Sequence, residues 1–366
     1  MKKIFTTILA FLGGFFLFLF IATFILRQVT LQQHKHKAMV LQLDFSQGLI
    51  ERHDQGLSFA SLKGKQTHLY SIIRAIEAAS KDPRVKGIVA RLDRAPMGLA
   101  QCQEIRNAIM DFRGKGSHQS KFSFAFADTF GDMEPGIIPY FLATAFDKIW
   151  LQPVGLLSIT GLSAEVPFLK EAADRWGIKP DFIKQGEYKS AFDSLTEKDF
   201  TPQNREALEN ILSSLLNLMI RDIAVSRELT ETEVQEAVDH APLLGKEALK
   251  SGLIDHLGYW DQVMTWIQEN VEEPVRFVRP EEYLELIDND ELKEGEPKFA
   301  LITVEGTLKR DNTISLMDIS PVDARQVSKN FEKALKNPDI KAIILRLNTP
   351  GGSAVASETI RRSVLE

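Results

Sequence analysis

Two stretches of this chain read as one unit written twice. Asp-Pro-Arg-Val-Lys-Gly-Ile-Val-Ala-Arg-Leu-Asp, from Asp82 to Asp93, aligns with Asn-Pro-Asp-Ile-Lys-Ala-Ile-Ile-Leu-Arg-Leu-Asn, from Asn337 to Asn348, 255 residues later. The same offset, with no gap, sets Gly98 opposite Ser353, Ile105 opposite Ile360 and Arg106 opposite Arg361. A tandem duplication confines the chain to two copies of one packed unit. Here the copies differ in chemistry, because only the second carries a serine at the matching position.

Each copy alternates strand and helix. In the first, Met39 to Phe45 reads as a strand, and His68 to Ala79 has helical spacing through Leu69, Ile72, Ile73 and Ile76. Val85 to Leu92 is a second, largely buried strand, and a helix follows around Ala100 to Phe112. The second copy repeats this with Phe299 to Val304, Val322 to Leu335, Ile340 to Leu347 and a helix starting near Ser353. Such an order predicts an α/β fold with parallel strands and right-handed crossovers. The acidic, Gly- and Pro-punctuated run Ile287 to Pro297 separates the copies. The expected organisation is an N-terminal membrane anchor and juxtamembrane segment over 1–37, a first repeat over 38–285, an acidic linker over 286–298 and the start of a second repeat over 299–366.

The N-terminus places the chain at a membrane. Ile4 to Leu26 is 23 residues without a charge, long enough at 1.5 Å per residue to cross a hydrocarbon core of roughly 30 Å. It exceeds the apolar run of a cleaved signal peptide and lacks a small-x-small cleavage site, so an uncleaved anchor contacting the bilayer through residues 4–26 is expected. Lys2 and Lys3 on one flank are matched by Arg27, Lys35 and Lys37 on the other, so charge does not decide orientation. A short tail with the bulk exported is the simpler topology.

With 366 residues, 44% apolar and 26% charged, the chain can fill more than one core. A net charge of -6 gives no electrostatic reason to expect nucleic acid as a partner. The single cysteine, Cys102, precedes an apolar-periodic helix, where packing is the expected role. Thr201 and Pro202 form a good N-cap and first turn. Leu208, Ile211, Leu212, Leu215, Leu216, Met219, Ile220 and Ile223 then trace one apolar face for core packing or a neighbouring subunit.

The chemistry gathers in Leu345-Arg346-Leu347-Asn348-Thr349-Pro350-Gly351-Gly352-Ser353-Ala354. A buried strand ends in a Pro-Gly-Gly turn and a helix begins at the serine. That junction can hold a hydroxyl at the positive end of a helix, with free N–H groups aimed at a developing negative charge. The plain alternative is a helix cap in an α/β turn. A nucleophile also needs a base, and the histidines offer none: His34, His36, His53, His68, His118, His240 and His256 show neither triad flanks nor metal-ligand spacing. No cofactor is expected. Lys189, beside Tyr188, Ala191 and Phe192, is the better candidate. A lysine at its free pKa of about 10.4 is protonated, so this role requires desolvation. A solvated surface Lys-Ser pair is the bland alternative.

Gly186-x-Tyr188-Lys189-Ser190-Ala191 followed by Thr201-Pro202, with Asn348-x-Pro350-Gly351-Gly352-Ser353 and Ala356-Ser357-Glu358, resembles the signal peptide peptidase A (protease IV) family of serine peptidases. Ala248-x-x-Ser251-Gly252-Leu253-Ile254-Asp255-x-Leu257-Gly258 is similar as well. The resemblance implies a crotonase-like fold related to Clp protease, membrane anchoring, a ring-like homo-oligomer, and degradation of signal peptides and other extended apolar peptides. It also implies Ser353 as nucleophile and Lys189 as general base, in the order of the long, duplicated form. Ala354 N–H would be one oxyanion donor and Gly352 the adjacent backbone.

Two departures stand out against that family. Asp318-Ile319-Ser320-Pro321 replaces the loop that supplies the second donor, and Asp193-Ser194-Leu195 replaces the usual Glu-Pro-Phe. Glu366 falls about thirteen residues after Ser353, inside an expected helix. The chain is therefore expected to be a truncated form, inactive by itself. A crotonase-like acyl-CoA enzyme and an inactive scaffold of the same fold are the competing functions.

Overall fold

A strand opens each copy, mostly buried in the first and only partly so in the second. The computed structural model describes residues 38–51, 67–116, 121–132, 135–271, 273–287, 298–310 and 321–366. The first copy runs β1 (Met39–Asp44), β2 (Leu49–Ile50), β3 (Thr67–His68), α1 (Leu69–Lys81), β4 (Val85–Arg91) and α2 (Leu99–Gly116). It continues through β5 (Phe122–Ala127), α3 (Ile137–Ala143), β6 (Lys148–Leu151), β7 (Leu156–Leu157), α4 (Lys170–Arg175) and α5 (Asp193–Thr196). Next come α6 (Pro202–Arg227), α7 (Glu231–Asp239), β8 (Leu243–Leu244), α8 (Gly245–Lys250), β9 (His256–Leu257), α9 (Trp260–Asn270), β10 (Arg276–Val278) and α10 (Pro280–Ile287). The second copy runs β11 (Lys298–Glu305), β12 (Thr307–Lys309), β13 (Pro321–Asp323), α11 (Ala324–Lys336), β14 (Ile340–Asn348) and α12 (Ala354–Leu365).

The expected α/β alternation is present, and the main sheet has the order β10-β1-β4-β5-β6-β9, with β1, β4, β5, β6 and β9 pairing in parallel. Both faces of β4 are buried, as its run of Val and Ile requires. Asp255 ties the far edge of this sheet. Its carboxylate takes the Ile149 N–H at 2.8 Å and pairs with Arg227 at 3.0 Å and Lys148 at 3.2 Å. Burial raises its pKa, but these partners outweigh that and hold it below the usual carboxylate value.

The duplication extends to single hydrogen bonds. α1 and α11 are each 13 residues long, and β1 pairs β4 as β11 pairs β14, with a break in register after the first pair in both. The turn before the second strand is built the same way twice. Asp82 Oδ1 accepts the Arg84 N–H at 2.9 Å, and Asn337 Oδ1 accepts the Asp339 N–H at 3.0 Å. Side chains of this type mimic a backbone turn, which is why Asp and Asn recur there. β2 pairs with β3 as β12 pairs with β13, again in parallel.

Contacts divide the chain into two compact units. One comprises Ala38–Ser46 and Ala79–Phe277, the other Gln47–Ala78 and Val278–Glu366. A core of the first joins Val40, Val89, Phe124 and Phe126 to Val263 and Ile267 of α9. That of the second joins Ile302, Val304, Leu308, Val322, Val327, Phe331, Ala356 and Ile360. Each buried side chain of this size contributes about 1.5–3 kcal/mol.

Thr201 caps α6 as expected, its hydroxyl accepting the Asn204 N–H at 3.3 Å. The single apolar face is only half realised. Met219, Ile220, Ile223 and Ala224 are buried, whereas Ile211 is exposed and Leu208, Leu212, Leu215 and Leu216 are partly so. Among the described residues no helix is long and apolar enough to cross a membrane. The anchor expected over 4–26, His34, His36, His53, His118, most of the 286–298 linker and Asp318 to Ser320 lie outside the described residues.

Cys102 packs in α2 with no exposed surface, and burial pushes its thiol up to about 12. A thiol reagent is therefore expected to modify native Cys102 on the order of 10³-fold more slowly than the urea-unfolded chain. Equal rates would contradict the burial.

Candidate active site

Ser353 is held from both sides. Its N–H donates to Leu308 O at 2.9 Å, and the Leu308 N–H donates to Gly351 O at 2.8 Å, so β12 clamps the turn. Gly351 and Gly352 have φ of +100° and +148°, and the Gly351 N–H donates to Thr349 Oγ1 at 3.0 Å. Beyond the turn Ser353 is the N-cap of the twelve-residue α12, its Oγ accepting the Ala356 N–H at 3.3 Å. The hydroxyl thus sits at the positive end of a helix dipole. The Ser353 N–H is occupied, but those of Gly352, Ala354 and Val355 have no acceptor among the described residues.

The first copy has the same junction without the chemistry. Gly98 precedes α2, and the Cys102 N–H donates to Gly98 O at 3.0 Å, as the Ser357 N–H donates to Ser353 O at 3.0 Å. Its turn reads Arg94-Ala95-Pro96-Met97, with no glycine pair. A Cβ on Gly352 would stand 2.3 Å from Leu308 O, whereas one on Gly351 meets nothing within 4 Å.

That contrast predicts two unequal effects. Gly351→Ala is expected to cost about 1 kcal/mol in backbone strain. Gly352→Ala must also push β12 away and is expected to cost on the order of 2–3 kcal/mol. Urea unfolding of the two variants checks this, and equal costs would remove the close approach from the account.

Lys189 lies in the other unit, on an irregular arm between β7 and α6. Gly186, with φ +85°, turns the chain before it, and the Lys189 N–H donates to Gly186 O at 3.4 Å. The side chain is exposed, as are Tyr188 and Phe192. The apolar setting that the sequence assigned to Tyr188, Ala191 and Phe192 is therefore not formed by those residues alone.

The base of the arm is firm. Asp193, 1% exposed, receives Lys184 Nζ at 2.7 Å and the Thr201 hydroxyl at 3.4 Å. Phe182 and Phe192 stack at 4.0 Å, and Ser194 O accepts the Leu169 N–H at 2.7 Å. Lys189 stands four residues before this anchor.

Residues 136–273, which include Lys189, match the sequence pattern of Peptidase family S49. The chain is 24% identical over 336 residues to the chloroplastic serine protease SPPA of Arabidopsis thaliana, covering 89% of this chain and 46% of that protein. It is 26% identical over 307 residues to Protease 4 of Haemophilus influenzae, covering 80% and 48%. The chain is similar to peptidase family S49 over that stretch and to these serine proteases over most of its length. It spans about half the length of the curated relatives it matches. Among solved structures, an enoyl-CoA hydratase from Mycobacterium avium subsp. paratuberculosis K-10 covers 64% of this chain and 72% of its own, at 14% identity and a TM-score of 0.31. That likeness is too slight to bear on the fold.

The two motif residues have different surroundings: Ser353 is pinned between β12 and α12, and Lys189 rides on an exposed arm. The Ala248 to Gly258 motif is structural. Tyr140 donates its hydroxyl to Leu253 O at 2.7 Å, Arg227 donates to Gly252 O, and Asp255 holds β6. Sequence reasoning missed Asp193 as the anchor of the Lys189 arm. Its signal was present, since Asp193 opens the segment that departs from the family pattern.

Proposed function

We propose that Ser353 is the nucleophile and Lys189 the general base of a serine peptidase that cleaves extended apolar peptides, signal peptides left in the membrane among them. The observation that carries this is the Pro350-Gly351-Gly352-Ser353 turn, which sets a hydroxyl beside unused N–H groups at the start of α12 in a chain similar to peptidase family S49. The neutral Lys189 amine takes the Ser353 Oγ proton as Oγ attacks the peptide carbonyl. The resulting ammonium returns a proton to the departing amine as the C–N bond breaks. Water, deprotonated in turn by Lys189, then releases the acyl group and restores the serine. The Ala354 N–H faces the developing oxyanion, with Gly352 adjacent.

Because Lys189 is exposed in its own unit, the reading requires a bound substrate or a neighbouring subunit to exclude water from the arm. A ring-like homo-oligomer of crotonase-like subunits would do so. Residues 4–26 would anchor it, with the catalytic part on the exported side of a bacterial plasma membrane.

A fluorophosphonate probe on the purified full-length protein tests the chemistry. One adduct is expected, on Ser353 by mass spectrometry, absent in Ser353→Ala and strongly slowed in Lys189→Ala. Peptide hydrolysis without a serine adduct, or turnover of acyl-CoA thioesters instead, would overturn the assignment.

A further inference from the structure

The two copies can be compared residue by residue for what covers them. Val89 on β4 and Leu92 just after it are fully buried, but their counterparts Ile344 and Leu347 are 54% and 60% exposed. Val40 is buried on β1, yet Phe299, in the same register position on β11, is exposed. On α2, Cys102, Arg106 and Ile109 are buried, and on α12 the matching Ser357, Arg361 and Val364 are exposed. The second copy therefore displays on its surface what the first copy keeps inside.

The first copy also shows what such a surface takes. β5 pairs in parallel along β4, from Gly87 opposite Phe122 to Arg91 opposite Phe126. The chain then returns as α3, whose last turn receives the Arg106 guanidinium at Phe141 O and Thr144 Oγ1, both at 2.6 Å. Among the described residues β14 pairs only with β11, so its other edge is open. Arg361, the counterpart of Arg106, has among the described residues only Glu358 on its own helix as a charged partner, at 2.7 Å on the surface.

An open edge beside exposed apolar side chains is a template for another strand. We infer that the second copy is an acceptor for a polypeptide strand–helix segment of the β5–α3 type. Its strand, apolar on both faces, pairs in parallel with Ala342 to Arg346. Its following helix presents C-terminal carbonyls to Arg361. A second copy of this chain fits less well, because a two-fold axis would set β14 antiparallel to itself, whereas the main-sheet pairs from β1 to β9 are parallel. The inference is independent of the chemistry assigned to Ser353.

The test appends residues 112–151 of this same chain directly after Glu366, which continues α12 in the register of the repeat. Hydrogen exchange read by mass spectrometry is compared with that of the unextended chain. Exchange over Ile340–Asn348 is expected to slow at least about 10-fold, with exchange in β4 unchanged as an internal reference. Introducing Leu347→Glu, or Arg361→Ala, into the extended chain should reverse most of that gain. Unchanged β14 exchange in the extended chain overturns the inference, whether the appended segment folds elsewhere or not at all. Concentration-dependent β14 protection in the unextended chain, with a dimer mass by light scattering, overturns it in favour of a second copy.

Discussion

Ser353→Ala in the full-length protein is expected to lower peptide hydrolysis on the order of 10⁴-fold or more. A nucleophile and its base act as one unit, so Lys189→Ala should lose a similar amount and the double variant scarcely more than either single. Ser353 is also a helix cap, and its loss is expected to cost about 1 kcal/mol of stability. Ser353→Asn separates the two roles. It can accept the Ala356 N–H and should restore stability, but it leaves hydrolysis at background. If Ser353→Asn restored activity along with stability, the residue would be a cap and nothing more. Retained hydrolysis in Lys189→Ala would remove the base from the proposal.

Arg106 carries the second large effect. It is 1% exposed and gathers three helices onto one guanidinium: its own α2, the α3 end at Phe141 O and Thr144 Oγ1, and α6 at Asp222 O and Ser226 Oγ. The charge also lies 4.4 Å from the centre of the Phe141 ring. Burial lowers its pKa and nearby Asp222 opposes that. Arg106→Met keeps much of the volume but strands four acceptors, two of them at a buried helix end. It is expected to cost about 3–5 kcal/mol, a large part of the 5–15 kcal/mol by which domains are ordinarily stable. Arg106→Lys should recover part of this, because an ammonium reaches fewer acceptors than the planar fork. A urea midpoint for Arg106→Met within 1 kcal/mol of the wild type would refute the account. By contrast, Arg361→Met on the exposed face of α12 is expected to change stability by less than about 0.5 kcal/mol.

The repeat was legible because its strands are long and β-branched and its turns use Asp or Asn at matching places, so the alignment survives divergence. The alternation could be followed as far as α2. Past that point, β6, β7, β8, β9 and β10 are two to four residues long, too short for a period to show. The long α6 was read correctly at its cap, whereas only Met219, Ile220, Ile223 and Ala224 of its apolar side are buried, since spacing reports which residues share a side, not whether anything covers that side. Ser353 could be singled out as the residue that follows a Pro-Gly-Gly turn and opens a helix, which the structure shows it to cap. Asp193 was visible only as a departure from the family pattern, because the burial that makes it an anchor does not show in sequence. The environment of Lys189 could not be read for a related reason: Tyr188, Ala191 and Phe192 are themselves exposed.

The clamp between β12 and the Gly351-Gly352 turn bears on how such a serine would respond to its surroundings. With peptide groups locked on either side of Leu308 and a helix rising directly behind, the backbone that carries the hydroxyl is held in place. Under the proposed chemistry, tuning of its reactivity then falls to whatever approaches it.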